Sequence, residues 1–246
     1  MGIVGTAGRA LLVAAAGFGW WVRRRDRLAR LEDDFAAYWR RRSRRPGELR
    51  YLALGDSLAQ GLTARRPERG FVGLLADELA AATGRTVAVL NLSVTGATVA
   101  DVVAEQLPVL VRQAGAAPDL VTVCVGTNDV TRTDPERFRA DFRALCAGLP
   151  AGALVADIPH VPRGPHRAAA AAYSAICREV LTEFPALVAV PIERATTGFR
   201  PWELGADLAH PGDPGHRRYA AAFRRRVRHL NPPRPAPTST QPRRER

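Results

Sequence analysis

Lysine is absent from the 246 residues, and all 36 basic side chains are arginine. The three cysteines (Cys124, Cys146, Cys177) are odd in number and show no C-x-x-C spacing. A disulfide scaffold is therefore excluded, and the thiols read as small buried apolar groups in a reduced compartment. Three cysteines and five histidines show no metal-ligand spacing, so no metal is expected. No internal repeat appears, and 21 Gly and 19 Pro fall far short of a collagen-like or globally disordered composition. Long apolar runs are missing too. The longest uninterrupted one, Ala10 to Val22, has thirteen residues. As a helix it reaches roughly 20 Å, short of the ~30 Å hydrocarbon core of a bilayer.

What is present suits one large α/β domain with a real core: 46% of residues are apolar and 24% charged. The net charge of +12 is unevenly placed. Residues 1–50 carry 12 Arg against 5 acids, residues 217–246 carry 10 against 1, and the middle carries 14 against 18. The basic character belongs to the two ends. A nucleic-acid enzyme more often spreads arginine over its working face, so nucleic acid is not the expected partner.

Residues 1–22 end in Trp20-Trp21, a pair suited to a membrane interface, and Arg23-Arg24-Arg25 follow. The positive block comes after the apolar run and no A-x-A site is evident, unlike a cleavable signal peptide. The favoured reading is a membrane anchor with a cytoplasmic catalytic domain. An apolar helix packed on the domain, or a secreted protein with an atypical signal, are the alternatives. In residues 23–49, Leu28, Leu31, Phe35 and Tyr38 recur at helical spacing, which predicts a basic amphipathic helix. It lies either on anionic lipid or against the domain. Residues 231–246 are Pro- and Arg-rich and read as a disordered tail.

From Arg50 the texture changes. Short Val- and Leu-rich runs at 50–55, 86–91, 119–125, 152–158 and 187–192 alternate with amphipathic stretches near 71–83, 99–114, 135–149, 166–184 and 213–229. That alternation predicts a parallel sheet covered by helices on both faces, in a domain spanning 50–230. In such sheets ligands bind at the carboxyl ends of the strands.

Four segments should converge on that rim: Gly55-Asp56-Ser57-Leu58, Asn91 to Gly96, Gly126-Thr127-Asn128-Asp129, and Asp207 to Pro211. A serine hydroxyl becomes a nucleophile when an imidazole takes its proton, and the imidazole needs a carboxylate to set its tautomer. Ser57, His210 and Asp207 supply those groups. The amides of Ser57 and Gly96 and the side chain of Asn128 supply three donors for a tetrahedral oxyanion. Glycine suits positions 55 and 96, where the backbone must bend or approach a ligand closely. Asp56 and Asp129 are expected to orient their loops by hydrogen bonds. His216 reads as a packing or capping residue, and His160 and His166 as loop residues.

The four segments, in this order, resemble the blocks of the SGNH hydrolases, also called the GDSL esterase/lipase family. Gly55 to Gly61 matches block I, Gly96 block II, Gly126 to Asp129 block III, and Asp207 to Pro211 block V. The resemblance covers roughly 50–230. It implies a three-layer α/β/α sandwich with a five-stranded parallel sheet (SGNH/flavodoxin-like). It also implies a Ser57-Asp207-His210 triad, an oxyanion hole of Ser57, Gly96 and Asn128, and no cofactor. One departure is Ser93, where many members have glycine. The α/β-hydrolase alternative expects G-x-S-x-G at its nucleophile elbow, and that pentapeptide is absent. The expected activity is hydrolysis of acyl esters, of a lipid or a small alcohol. The alternatives are an acyltransferase with the same triad, or a non-catalytic scaffold whose basic ends bind anionic lipid or nucleic acid.

Overall fold

Each of the five apolar runs becomes a strand in the computed structural model, which describes residues 29–112, 117–161 and 164–227. The apolar segment 1–22 and the tail 231–246 lie outside the described residues, so the anchor and tail readings do too. Among the described residues no helix is long and apolar enough to cross a membrane.

Helical residues 29–42 (α1) lead into β1 (Leu49–Gly55), α2 (Ser57–Gln60), α3 (Phe71–Thr83) and β2 (Val87–Asn91). Helix α4 (Val99–Asp101) runs through a π-helical stretch, Val102–Gln106, into α5 (Leu107–Arg112). Then come β3 (Leu120–Cys124), α6 (Asp129–Arg132), α7 (Pro135–Gly148), β4 (Leu154–Ala156) and α8 (Arg167–Thr182). The order closes with β5 (Val188–Val190), α9 (Ile192–Thr196) and α10 (Asp213–Arg224).

The strands form one parallel sheet in the order β2-β1-β3-β4-β5, covered on both faces, so the fold is the expected three-layer α/β/α sandwich. Alternation along the strands divides the core. Tyr51, Ala53, Leu120, Cys124, Leu154 and Ala156 face α3 and α10, where Phe71 stacks on Phe223 with ring centroids 4.9 Å apart. Leu52, Leu54, Val121, Val123 and Val155 face the layer of α7 and α8, built on Phe138, Phe142 and Tyr173. Period-two burial on both faces is what a fully covered parallel sheet demands.

Strands β4 and β5 are shorter than the apolar runs that predict them. Gly152 turns in the left-handed region before β4. Pro191 ends β5, because it has no N–H for a ladder and starts α9 instead. The amphipathic helix α1 packs on the domain, and Trp39 joins the expected stripe. Phe35 and Trp39 are buried, Leu31 and Tyr38 only partly so, and the Trp39 indole donates to the Gln60 carbonyl (2.9 Å). The three cysteines are free and buried, and burial pushes the Cys146 thiol up to about 12.

The order reverses between β1 and β3, where the chain goes outward from β1 to β2 and then crosses back. A crevice opens at the carboxyl ends on either side of such a point. Gly55 pairs with Cys124 there, so the segments after both strands face the same opening.

Candidate active site

Asp56 caps the short helix α2, its Oδ1 accepting from the Leu58 amide (2.9 Å). This places Ser57 at the first helical position, at the carboxyl end of β1. Gly55 is required by the sharp exit. It sits at φ +148, and a Cβ there would lie 2.1 Å from the Cys124 carbonyl oxygen.

Ser57 Oγ lies 2.8 Å from His210 Nε2, and His210 Nδ1 lies 2.5 Å from Asp207 Oδ2. An ionised carboxylate can only accept, so the proton of the neutral ring sits on Nδ1 and Nε2 is left to accept from the Ser57 hydroxyl. Asp207 Oδ1 also accepts from the amides of Ala209 (3.0 Å) and His210 (2.9 Å), folding the loop back on itself. Leu208, between them, takes a left-handed φ of 58°, a conformation that side-chain-bearing residues adopt at a cost of about 1–3 kcal/mol. Burial pulls the Asp207 carboxyl upward. The hydrogen bonds from the His210 ring and from both amides outweigh it and hold the group below its ordinary value.

That loop is clamped as a small hairpin, which the sequence did not reveal. Leu204 and Pro211 form an antiparallel bridge, and the Gly205 amide donates to the His210 carbonyl (2.7 Å). Glu203, buried, then pairs with Arg218 of α10 (2.7 Å).

The other two segments close around Ser57. Asn128 Nδ2 donates to the Ala97 carbonyl (3.0 Å) and, more weakly, to Asp56 Oδ2 (3.4 Å). Asp129, buried beside it, accepts from the Val99 amide (3.0 Å) and the Thr133 hydroxyl (3.0 Å), which ties the 126–129 segment to the start of α4. Gly96 has φ +82, and its carbonyl accepts from Arg132 (2.8 Å). Burial raises the Asp56 carboxyl to about 7, against the hydrogen bond from Leu58 and the nearby His210.

Ser93 meets no conformational demand for glycine, since its φ is not positive. Its amide (3.1 Å) and hydroxyl (2.6 Å) donate to Asn91 Oδ1, and its carbonyl accepts from Gln60 (2.8 Å). Asn91 therefore shapes this loop by an Asx turn. Gln60 and Arg132 are site-building residues that sequence reasoning passed over. Their only signal was a polar side chain closing a short helix that follows a strand.

The other histidines among the described residues stand apart from the Ser57 relay. His160 is half-buried, with its amide on the Thr196 hydroxyl (2.8 Å), and His166 is exposed before α8. His216 is a buried residue of α10, with Nε2 3.3 Å from the Leu62 carbonyl and no partner for Nδ1. Burial lowers it from 6.5 to about 4. The unfolded chain thus binds the extra proton between these values, and stability is lost as pH falls through that window. Relative to a His216→Gln variant, the wild type should lose roughly 3 kcal/mol between pH 7 and pH 4. Urea unfolding of both proteins at several pH values measures it, and a pH-independent difference contradicts it. Comparing two variants cancels Asp56, whose raised pKa weakens the fold in the opposite direction, as pH rises.

Residues 53–218, more than half of the chain, match the model of the GDSL-like Lipase/Acylhydrolase family. Among solved structures, the crystal structure of TesA is similar at 26% identity and a TM-score of 0.61. That match covers 74% of this chain and 99% of the other. A lipase/acylhydrolase from Enterococcus faecalis is 20% identical with a TM-score of 0.61, covering 76% of this chain and 100% of its own. Axe2, an acetyl xylan esterase from Geobacillus stearothermophilus, is 22% identical with a TM-score of 0.60, covering 73% and 94%. The last two share the fold. No curated protein matches the chain.

Proposed function

The chain belongs to the GDSL-like lipase/acylhydrolase family and is a hydrolase. On that premise we propose that it cleaves acyl esters through a Ser57-His210-Asp207 triad and an acyl-enzyme. The observation that carries this reading is the unbroken relay from Ser57 Oγ through the His210 ring to Asp207. Family membership as a hydrolase sets aside the non-catalytic scaffold.

In this mechanism Ser57 Oγ attacks the acyl carbonyl while its proton passes to His210 Nε2. The imidazolium formed is stabilised by Asp207, which stays ionised because its pKa is held low. The carbonyl oxygen becomes an oxyanion and takes hydrogen bonds from the Ser57 and Gly96 amides and from Asn128 Nδ2. The Ser57 amide lies in the first turn of α2, where an N–H has no intrahelical acceptor. Asn128 is pre-oriented by Ala97, and its longer contact to Asp56 is the one the oxyanion replaces. His210 then protonates the leaving alcohol, a water deprotonated by His210 attacks the acyl-serine, and the acid departs.

Incubation with an alkyl fluorophosphonate, followed by peptide mass spectrometry, tests the nucleophile directly. One adduct on Ser57, absent in His210→Ala, is the expected result. Labelling elsewhere with Ser57 untouched would refute the assignment.

A further inference from the structure

A buried carboxamide from outside the four family segments grips the residue two positions before Ser57. Gln106 ends the π-helical stretch between α4 and α5 and is 3% exposed. Its Oε1 accepts from the Gly55 amide and its Nε2 donates to the Gly55 carbonyl, both at 2.9 Å.

The reason lies in the sheet. Strand β2 pairs with β1 only as far as Ala53 opposite Asn91, after which the Leu92 amide makes a last bond to the Ala53 carbonyl (2.8 Å). On that edge the Gly55 amide has no ladder partner, and a buried backbone group left unpaired is costly. A glutamine carboxamide offers the same donor and acceptor pair as a peptide, and Gln106 takes the place of the missing strand. The Gly55 carbonyl also accepts from the Val94 amide (3.1 Å). One peptide group thus joins the turn bearing Ser57 to the loop bearing Gly96. Gln106 sits in an otherwise apolar buried stripe with Val99, Val102 and Leu110. The π-helical widening falls where this side chain meets Gly55, and such insertions are frequent at functional sites.

We propose that Gln106 is a positioning residue for ester hydrolysis, holding the Ser57 turn and the Gly96 loop in mutual register through the Gly55 peptide. The inference rests on Ser57 being the nucleophile. Misplacing reacting groups by about 1 Å can cost on the order of 10²-fold in rate. Because Gln106 acts on the frame of the reacting groups, the loss should appear in kcat.

Two variants test it with p-nitrophenyl butyrate. Gln106→Met keeps length and apolarity but removes both bonds. Its kcat should fall about 10- to 100-fold with KM within about threefold, in protein whose circular dichroism is native. Gln106→Glu restores a donor to the Gly55 carbonyl only while its carboxyl is protonated. Burial, with Asp101 and Glu105 lining the same cavity, raises that pKa. Its kcat relative to wild type should be highest at acid pH and decline as pH rises. A folded Gln106→Met with kcat within twofold of wild type, or a loss carried by KM alone, would overturn the proposal. So would a flat Gln106→Glu ratio, which decides the matter if Gln106→Met does not fold. Hydrolysis surviving in Ser57→Ala would instead overturn the nucleophile assignment on which the inference rests, a separate and recognisable failure.

Discussion

Ser57→Ala should remove ester hydrolysis almost entirely, with kcat falling on the order of 10⁶-fold while the protein remains folded. The size of the effect follows from the relay. His210 Nε2 lies 2.8 Å from the Ser57 hydroxyl and Nδ1, across the ring, 2.5 Å from the Asp207 carboxylate, so the three groups act as a unit. Without the hydroxyl there is no acyl-enzyme, and water must attack an ester held only by the remaining donors. The fold should tolerate the change. Ser57 is held by backbone bonds of α2, such as that from the Leu62 amide to its carbonyl (3.0 Å), and Asp56 supplies the cap. Comparing p-nitrophenyl acetate, butyrate, octanoate and palmitate with wild type and variant measures both the loss and the acyl-length preference. Variant turnover within tenfold of wild type on any of these esters would show that another group carries the reaction.

Asp207→Asn should lower kcat about 10⁴-fold and leave KM nearly unchanged. The substitution is close to isosteric. An asparagine oxygen can still accept from the Ala209 and His210 amides, so the loop and its left-handed Leu208 stay in place. The other position becomes an NH₂ facing His210 Nδ1. It can only donate, which forces the ring into the tautomer with Nε2 protonated, and Nε2 then cannot take the serine proton. The pH dependence has a definite sign. The native Asp207 carboxyl is held below its ordinary value, so its contribution to the fold is present above that value and is lost as pH falls through the depressed one. Asp207→Asn should therefore lose less stability than wild type on acidification. Steady-state kinetics with urea unfolding at pH 7 and pH 3 reads both effects. A variant retaining kcat within tenfold of wild type would remove Asp207 from the mechanism.

Much of this was legible in the chain because burial on both faces of a parallel strand leaves an apolar run, and a turn leaves Gly, Asn or Asp beside it. Runs such as Tyr51 to Leu54 and Leu120 to Cys124 announced their strands, and alternation with helical stretches announced the layers. Residues 57, 96, 128, 207 and 210 could be named from residue type and from the expected strand ends and helix starts, although 207 and 210 lie in a loop ahead of α10. The stripe of α1 was read through Phe35, Leu31 and Tyr38, but without Trp39. Periodicity counts apolar residues, but Trp39 was chosen by an acceptor, the Gln60 carbonyl, and a niche that only the folded domain contains.

What the sequence determined by itself was the layered parallel sheet and the chemical character of its rim, since both follow from local pattern and residue type. Tertiary structure alone decided the rest. The clamp at Leu204–Pro211, the bond from Gln60 to the Ser93 carbonyl, and the carboxamide of Gln106 in place of a strand all join residues that are not neighbours in sequence. Each depends on where a neighbouring strand happens to end or a loop to return, and pairing across such distances leaves no period in the chain from which to read it.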